Sequence, residues 1–62
     1  MKVRDVLKLL HEDGWRVAYT RGSHRQLVHP TKVGRVTVAG KRNDDLRRKT
    51  LASILQQAGL ND

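Results

Sequence analysis

The apolar positions along this chain change period twice. Val3, Val6, Leu7 and Leu10 recur at i, i+3, i+4 and i+7, which is one face of a helix turning every 3.6 residues or so. That spacing predicts a helix over residues 3–13, with Leu9 widening the stripe and Gly14 where a left-handed residue ends a helix. From Trp15 the period becomes two. Trp15, Val17 and Tyr19 alternate with Arg16, Ala18 and Thr20, as in a half-buried strand. Arg21-Gly22-Ser23 supplies a turn, and His24 to His29 reads as a second strand. Pro30 ends it, because proline cannot donate to a sheet ladder. Thr31 to Gly34 is a further turn, and Arg35 to Ala39 is a third, β-branched strand.

Gly40 to Asp45 is a polar connection. Leu51, Ile54, Leu55 and Ala58 then restore the helical stripe, which predicts a second helix from about Leu46 to Ala58. Asp44 or Asp45 is the expected N-cap, and Gly59 the expected stop. The order α-β-β-β-α predicts an α+β two-layer sandwich, with a three-stranded antiparallel sheet and both helices on one face. The other sheet face is left to solvent or to a partner.

Length and composition narrow the function. A chain of 62 residues holds one domain, 1–62. Such a domain buries only about 60 % of its unfolded surface, so any site is expected to be shallow and open. Without cysteine there are neither disulfides nor thiolate metal clusters. No apolar run nears the roughly 20 residues that span a bilayer, and the first residues lack the apolar core of a signal peptide. A cytoplasmic location and no membrane partner are the expectations, with the free protein a monomer. Thirteen Lys and Arg against six Asp and Glu leave a net charge of +7. Ten of those cations, against Asp44 and Asp45 alone, lie within residues 16–49, a local net of +8. A polyanion is the natural partner, nucleic acid first.

Arg47-Arg48-Lys49 is an unusual start for a helix, since the first turn ordinarily prefers acids. The same placement makes an anion trap for phosphate, or else a solvated face offset by Asp44 and Asp45. If Leu27 points to the helices, strand alternation turns His24 to the open face. A histidine at a strand start is ordinarily a plain surface residue. Among arginines, however, an imidazole with an ordinary pKa of about 6.5 suits acid–base work on a phosphodiester. RNA carries its own nucleophile in the 2′-hydroxyl, so one base and a few cations suffice without metal. His29 is five residues on, about 17 Å along a strand, so the two histidines cannot pair. His29 reads as structural, as does His11 near a helix C-terminus. No HExxH or comparable spacing offers a metal site, and Trp15 reads as core.

One ordered set of fragments goes further. Gly14-Trp15, Arg21-Gly22-Ser23-His24, His29-Pro30, Val36-Thr37-Val38, Asp45-Leu46 and Thr50-Leu51 through Ala58-Gly59-Leu60 together resemble the HicA family across nearly the whole chain. The resemblance implies a toxin of a type II toxin–antitoxin system and a fold like a double-stranded-RNA-binding domain. It implies a ribosome-independent endoribonuclease that cleaves mRNA and stops translation, needing no cofactor. The family's single active-site histidine falls on His24, in Gly22-Ser23-His24. Ser23 and the Gly22 turn would then position phosphate, while Arg21, Arg25, Arg47, Arg48 and Lys49 track the RNA backbone. An acidic HicB antitoxin is the implied protein partner. Many members place a second histidine after the first, where this chain has Arg25. The alternative within the same fold is a non-catalytic module for double-stranded RNA.

Overall fold

The computed structural model describes residues 1–60. Helix α1 spans Val3–Asp13, strands β1, β2 and β3 span Arg16–Arg21, His24–Val28 and Val36–Ala39, and helix α2 spans Arg48–Gln57. The strands form one antiparallel sheet in the order β1-β2-β3. Both helices pack on one face of it, as the periodicity predicts. Their apolar stripes meet that face in a core of Val3, Val6 and Leu10 from α1, Leu27, Val36 and Val38 from the sheet, and Ile54 and Ala58 from the α2 end. Trp15 joins them, 1 % exposed.

Both helices stop by the same device. The Gly14 amide donates to His11 O and the Trp15 amide to Leu10 O, each at 3.0 Å. At α2 the Gly59 amide donates to Gln56 O at 3.1 Å and the Leu60 amide to Leu55 O at 2.8 Å. This is the Schellman pattern, in which the apolar residue after the glycine folds back on its own helix. Gly14 carries a second constraint beyond its φ of +108°: a Cβ there would lie 2.7 Å from His29 Nε2.

The start of α2 differs from expectation. The helix begins at Arg48 with Arg47 as N-cap, and neither Asp44 nor Asp45 caps it. Those residues are already engaged with the other helix. The amides of Val3 and Arg4 donate to Asp44 O and Arg42 O, at 2.9 and 3.0 Å, so the 40–46 connection satisfies the first donors of α1. Asp44 Oδ2 accepts from the Lys41 amide at 2.9 Å, and Asp45 Oδ1 pairs with Lys2 Nζ at 3.3 Å. Leu46 is drawn out of the helix because its amide donates to Met1 O at 2.9 Å.

β1 is the other departure. The expected half-buried alternation is absent, for every residue of Arg16–Arg21 is exposed. β1 is an edge strand, and the helices cover the β3 side of the sheet instead. The register also slips between Val17 and Tyr19, so Val17 pairs with Leu27 while Tyr19 pairs with Gln26. That β-bulge at Ala18 puts Val17 and Tyr19 on opposite faces.

His29 lies beyond the end of β2 and is structural. Its Nδ1 accepts from the amides of Thr31 and Lys32, both at 3.1 Å, so the ring proton resides on Nε2 and is donated to Asp13 O at 2.7 Å. The ring meets Trp15 edge-on at a centroid distance of 5.2 Å. Nearby, Lys32 Nζ donates to Asp13 Oδ2 at 2.6 Å and to Ala58 O at 2.9 Å, tying the ends of the two helices together. The Lys32 hydrogen bond holds the Asp13 carboxyl below its ordinary value, with the indole N–H of Trp15 adding to it.

Candidate active site at the β1–β2 turn

β1 and β2 are joined by two residues, Gly22 and Ser23, between the paired Arg21 and His24. Gly22 has φ of +59° and Ser23 does not enter positive φ, which is the type II′ pattern that matches strand twist. A Cβ at Gly22 would meet nothing within 4 Å, so glycine is required there by conformation and not by space. The turn is braced from behind. The Gly40 amide donates to Ser23 O at 3.1 Å, and Arg25 Nη1 donates to Gly40 O at 2.9 Å and Ser23 O at 3.3 Å.

Partners in register share a face. His24 pairs with Arg21 and Ala39, and Gln26 with Tyr19 and Thr37. These six side chains therefore stand on the open face, opposite Leu27 and the helices. His24 is exposed at the corner of that face. Tyr19, Arg21, Gly22, His24 and Gln26 line one open depression of about 520 Å³. Neither the His24 ring nor Ser23 Oγ takes part in a hydrogen bond among the described residues, so both are free to meet a ligand. The arrangement puts a titratable imidazole, a guanidinium and a turn with open amides at one end of a sheet. It can bind an anion and move a proton beside it.

Residues 3–60 match the family described as HicA toxin of bacterial toxin-antitoxin. The chain belongs to the HicA toxin family. Comparison with curated proteins finds no match. Membership makes the protein the toxin partner of a toxin–antitoxin pair, so an antitoxin is its counterpart.

The HicA chain does not bring all the expected residues together. Arg21, Gly22, Ser23 and His24 share the hairpin end. Strand alternation carries Arg25 to the helical side, where it pairs in register with Val38 and braces the turn. There it helps line a separate cleft of about 320 Å³, with Arg4, Lys8, His11 and Arg42 around Leu7, Val17 and Leu27. Arg47, Arg48 and Lys49 stand at the exposed start of α2 in the helical layer, outside the depression that holds His24. No acid offsets them in the first turn, and no side chain caps the amides there.

Neither Tyr19 nor Gln26 stood out in the sequence, although the β2 alternation that turns His24 outward also turns Gln26 outward; Tyr19 alone had no signal. Strict alternation from Trp15 puts Tyr19 with the core, and only the bulge reverses it. Among the described residues no three His, Cys, Asp or Glu side chains gather as metal ligands, and no helix is long and apolar enough to cross a membrane.

Proposed function

We propose that this HicA toxin is an endoribonuclease acting on mRNA through His24, without a metal ion, and so stops translation. The observation that carries the reading is the free His24 imidazole, exposed beside Arg21 and the Gly22-Ser23 turn on the uncovered sheet face. His24 takes the proton of a ribose 2′-hydroxyl, or gives one to the departing 5′-oxygen. In the reaction the 2′-oxygen forms a bond to the adjacent phosphorus as the bond to the 5′-oxygen breaks. The proton lost from the 2′-hydroxyl goes to a base, and the leaving oxygen receives one. Arg21 and the turn amides hold the phosphate oxygens while charge builds on them. Ser23 Oγ positions the same group. Arg25 contributes by holding the turn, and its guanidinium is not a proton shuttle near neutrality. Arg47, Arg48 and Lys49 hold the RNA backbone at a distance from the cut.

The acidic HicB-type antitoxin competes for this surface, so cleavage falls stoichiometrically as antitoxin is added. The test of mechanism is substrate chemistry in the presence of chelator. An RNA with a single 2′-deoxy sugar at the cut position should resist cleavage there and nowhere else. Cleavage of that RNA at the same bond would exclude the ribose hydroxyl as nucleophile.

A second reading draws on Arg47, Arg48 and Lys49 standing in the helical layer, apart from His24. In it the protein is a non-catalytic module that grips duplex RNA by shape and 2′-hydroxyls. Duplex RNA that is retained but intact, with His24 indifferent to the outcome, favours that reading.

A further inference from the structure

We propose that the depression beside His24 is a subsite for one unpaired nucleobase, with Tyr19 as its stacking platform and Gln26 as its polar edge. The inference rests on the RNA-cleaving reading above and adds the part of the substrate that this chain grips. Five observations carry it.

Tyr19 reaches the open face only because the register slips at Ala18, which aims its ring to the side of Gln26 and His24 instead of the helices. Bulges that re-aim one side chain cluster beside functional sites. Tyr19 is 55 % exposed, and no hydrogen bond holds its hydroxyl among the described residues. The indole of Trp15 is buried, so of the chain's two large aromatic side chains, Trp15 and Tyr19, only Tyr19 is open to a ligand. Tyr19, His24 and Gln26 line the same depression, next to the proton-transfer group.

The polar edge is set by a neighbour. Arg35 Nη1 donates to Gln26 Oε1 at 3.0 Å. Guanidinium has no acceptor, so this bond fixes which end of the amide Arg35 meets. The Gln26 N–H₂ group is left as donor, suited to a base that presents a carbonyl or ring nitrogen. Arg21, at the mouth, takes the phosphate next to that base. A base in a duplex is stacked and paired on both sides, so the ligand is a single-stranded segment.

The experiment measures binding of fluorescent single-stranded hexanucleotides with 2′-fluoro sugars. These lack the nucleophilic hydroxyl, so the readout is independent of cleavage. Tyr19→Ala should weaken binding about five- to 150-fold, the range for losing one base–aromatic stack. Tyr19→Phe should bind like the parent, and Tyr19→Leu, which keeps bulk without a π face, should bind like Tyr19→Ala. In a series with one abasic position moved along the oligonucleotide, one position should weaken the parent and leave Tyr19→Ala unchanged. Equal affinity of parent and Tyr19→Ala, or equal loss across the abasic series in both, overturns the subsite. The two proposals fail separately. Tyr19-dependent binding by a protein that never cuts RNA removes the nuclease and keeps the subsite. Cutting that depends on His24, with binding blind to Tyr19, does the reverse.

Discussion

Replacing Gly14 with alanine should be far more damaging than the same change at Gly34, although both glycines have a similar positive φ. Their φ values are +108° and +93°, so an L-residue at either position bears the left-handed penalty of about 1–2 kcal/mol. At Gly34 nothing lies within 4 Å of the new Cβ, and that penalty is the whole cost. At Gly14 the Cβ arrives 2.7 Å from His29 Nε2 and 3.3 Å from two ring carbons. The imidazole must move, and its 2.7 Å bond to Asp13 O breaks. Leaving such part-buried partners unsatisfied costs up to about 1–3 kcal/mol more. The expected totals are therefore about 2–5 kcal/mol at Gly14 and 1–2 kcal/mol at Gly34. A domain this small rarely holds more than about 3–5 kcal/mol, so Gly14→Ala should be largely unfolded at room temperature. Urea unfolding followed by Trp15 fluorescence measures both, because that single indole is buried beside His29. Equal costs at the two positions would refute the claim that His29 fills the space over Gly14.

Two further outcomes follow from the charged groups. Lys32 lowers the native pKa of Asp13, so its stabilising contribution is complete well above the ordinary 3.8 and is lost as pH falls below that toward the lowered native value; Asp13→Asn should flatten the acid limb of a stability–pH curve, and unchanged limbs would contradict the pairing. Arg21→Ala should reduce the slope of log binding constant against log salt by about 0.7 for single-stranded RNA, one phosphate contact fewer; an unchanged slope would place Arg21 away from the backbone.

The helices and the order of elements could be read from periodicity because their apolar stripes face a core that both helices share. Leu27 against the helices was enough to turn His24 outward, since alternation holds through β2. It failed in β1, where the strand lies at the sheet edge and no helix demands an apolar face. There an extra residue at Ala18 is tolerated, and it moves Tyr19 into the site. The N-cap expectation at Asp44 and Asp45 failed for a different reason. Local sequence does not show that the carbonyls of Arg42 and Asp44 are needed forty residues away, at the start of α1. Arg25 shows a third limit. Its charge was evident, but alternation sends it behind the turn, where it supports Ser23 and Gly40. The Gly14–His29 fit is likewise a three-dimensional fact that two separate glycine and histidine positions do not disclose.

The most direct measurement is the initial rate of RNA cleavage by wild type and by His24→Ala, in chelator, with both proteins shown to be folded by the same unfolding curve. Loss of a proton-transfer group at the reacting phosphate predicts a rate lower by about 10²–10⁴-fold in the variant. Equal rates would contradict the account, because the reaction would then not need the His24 imidazole.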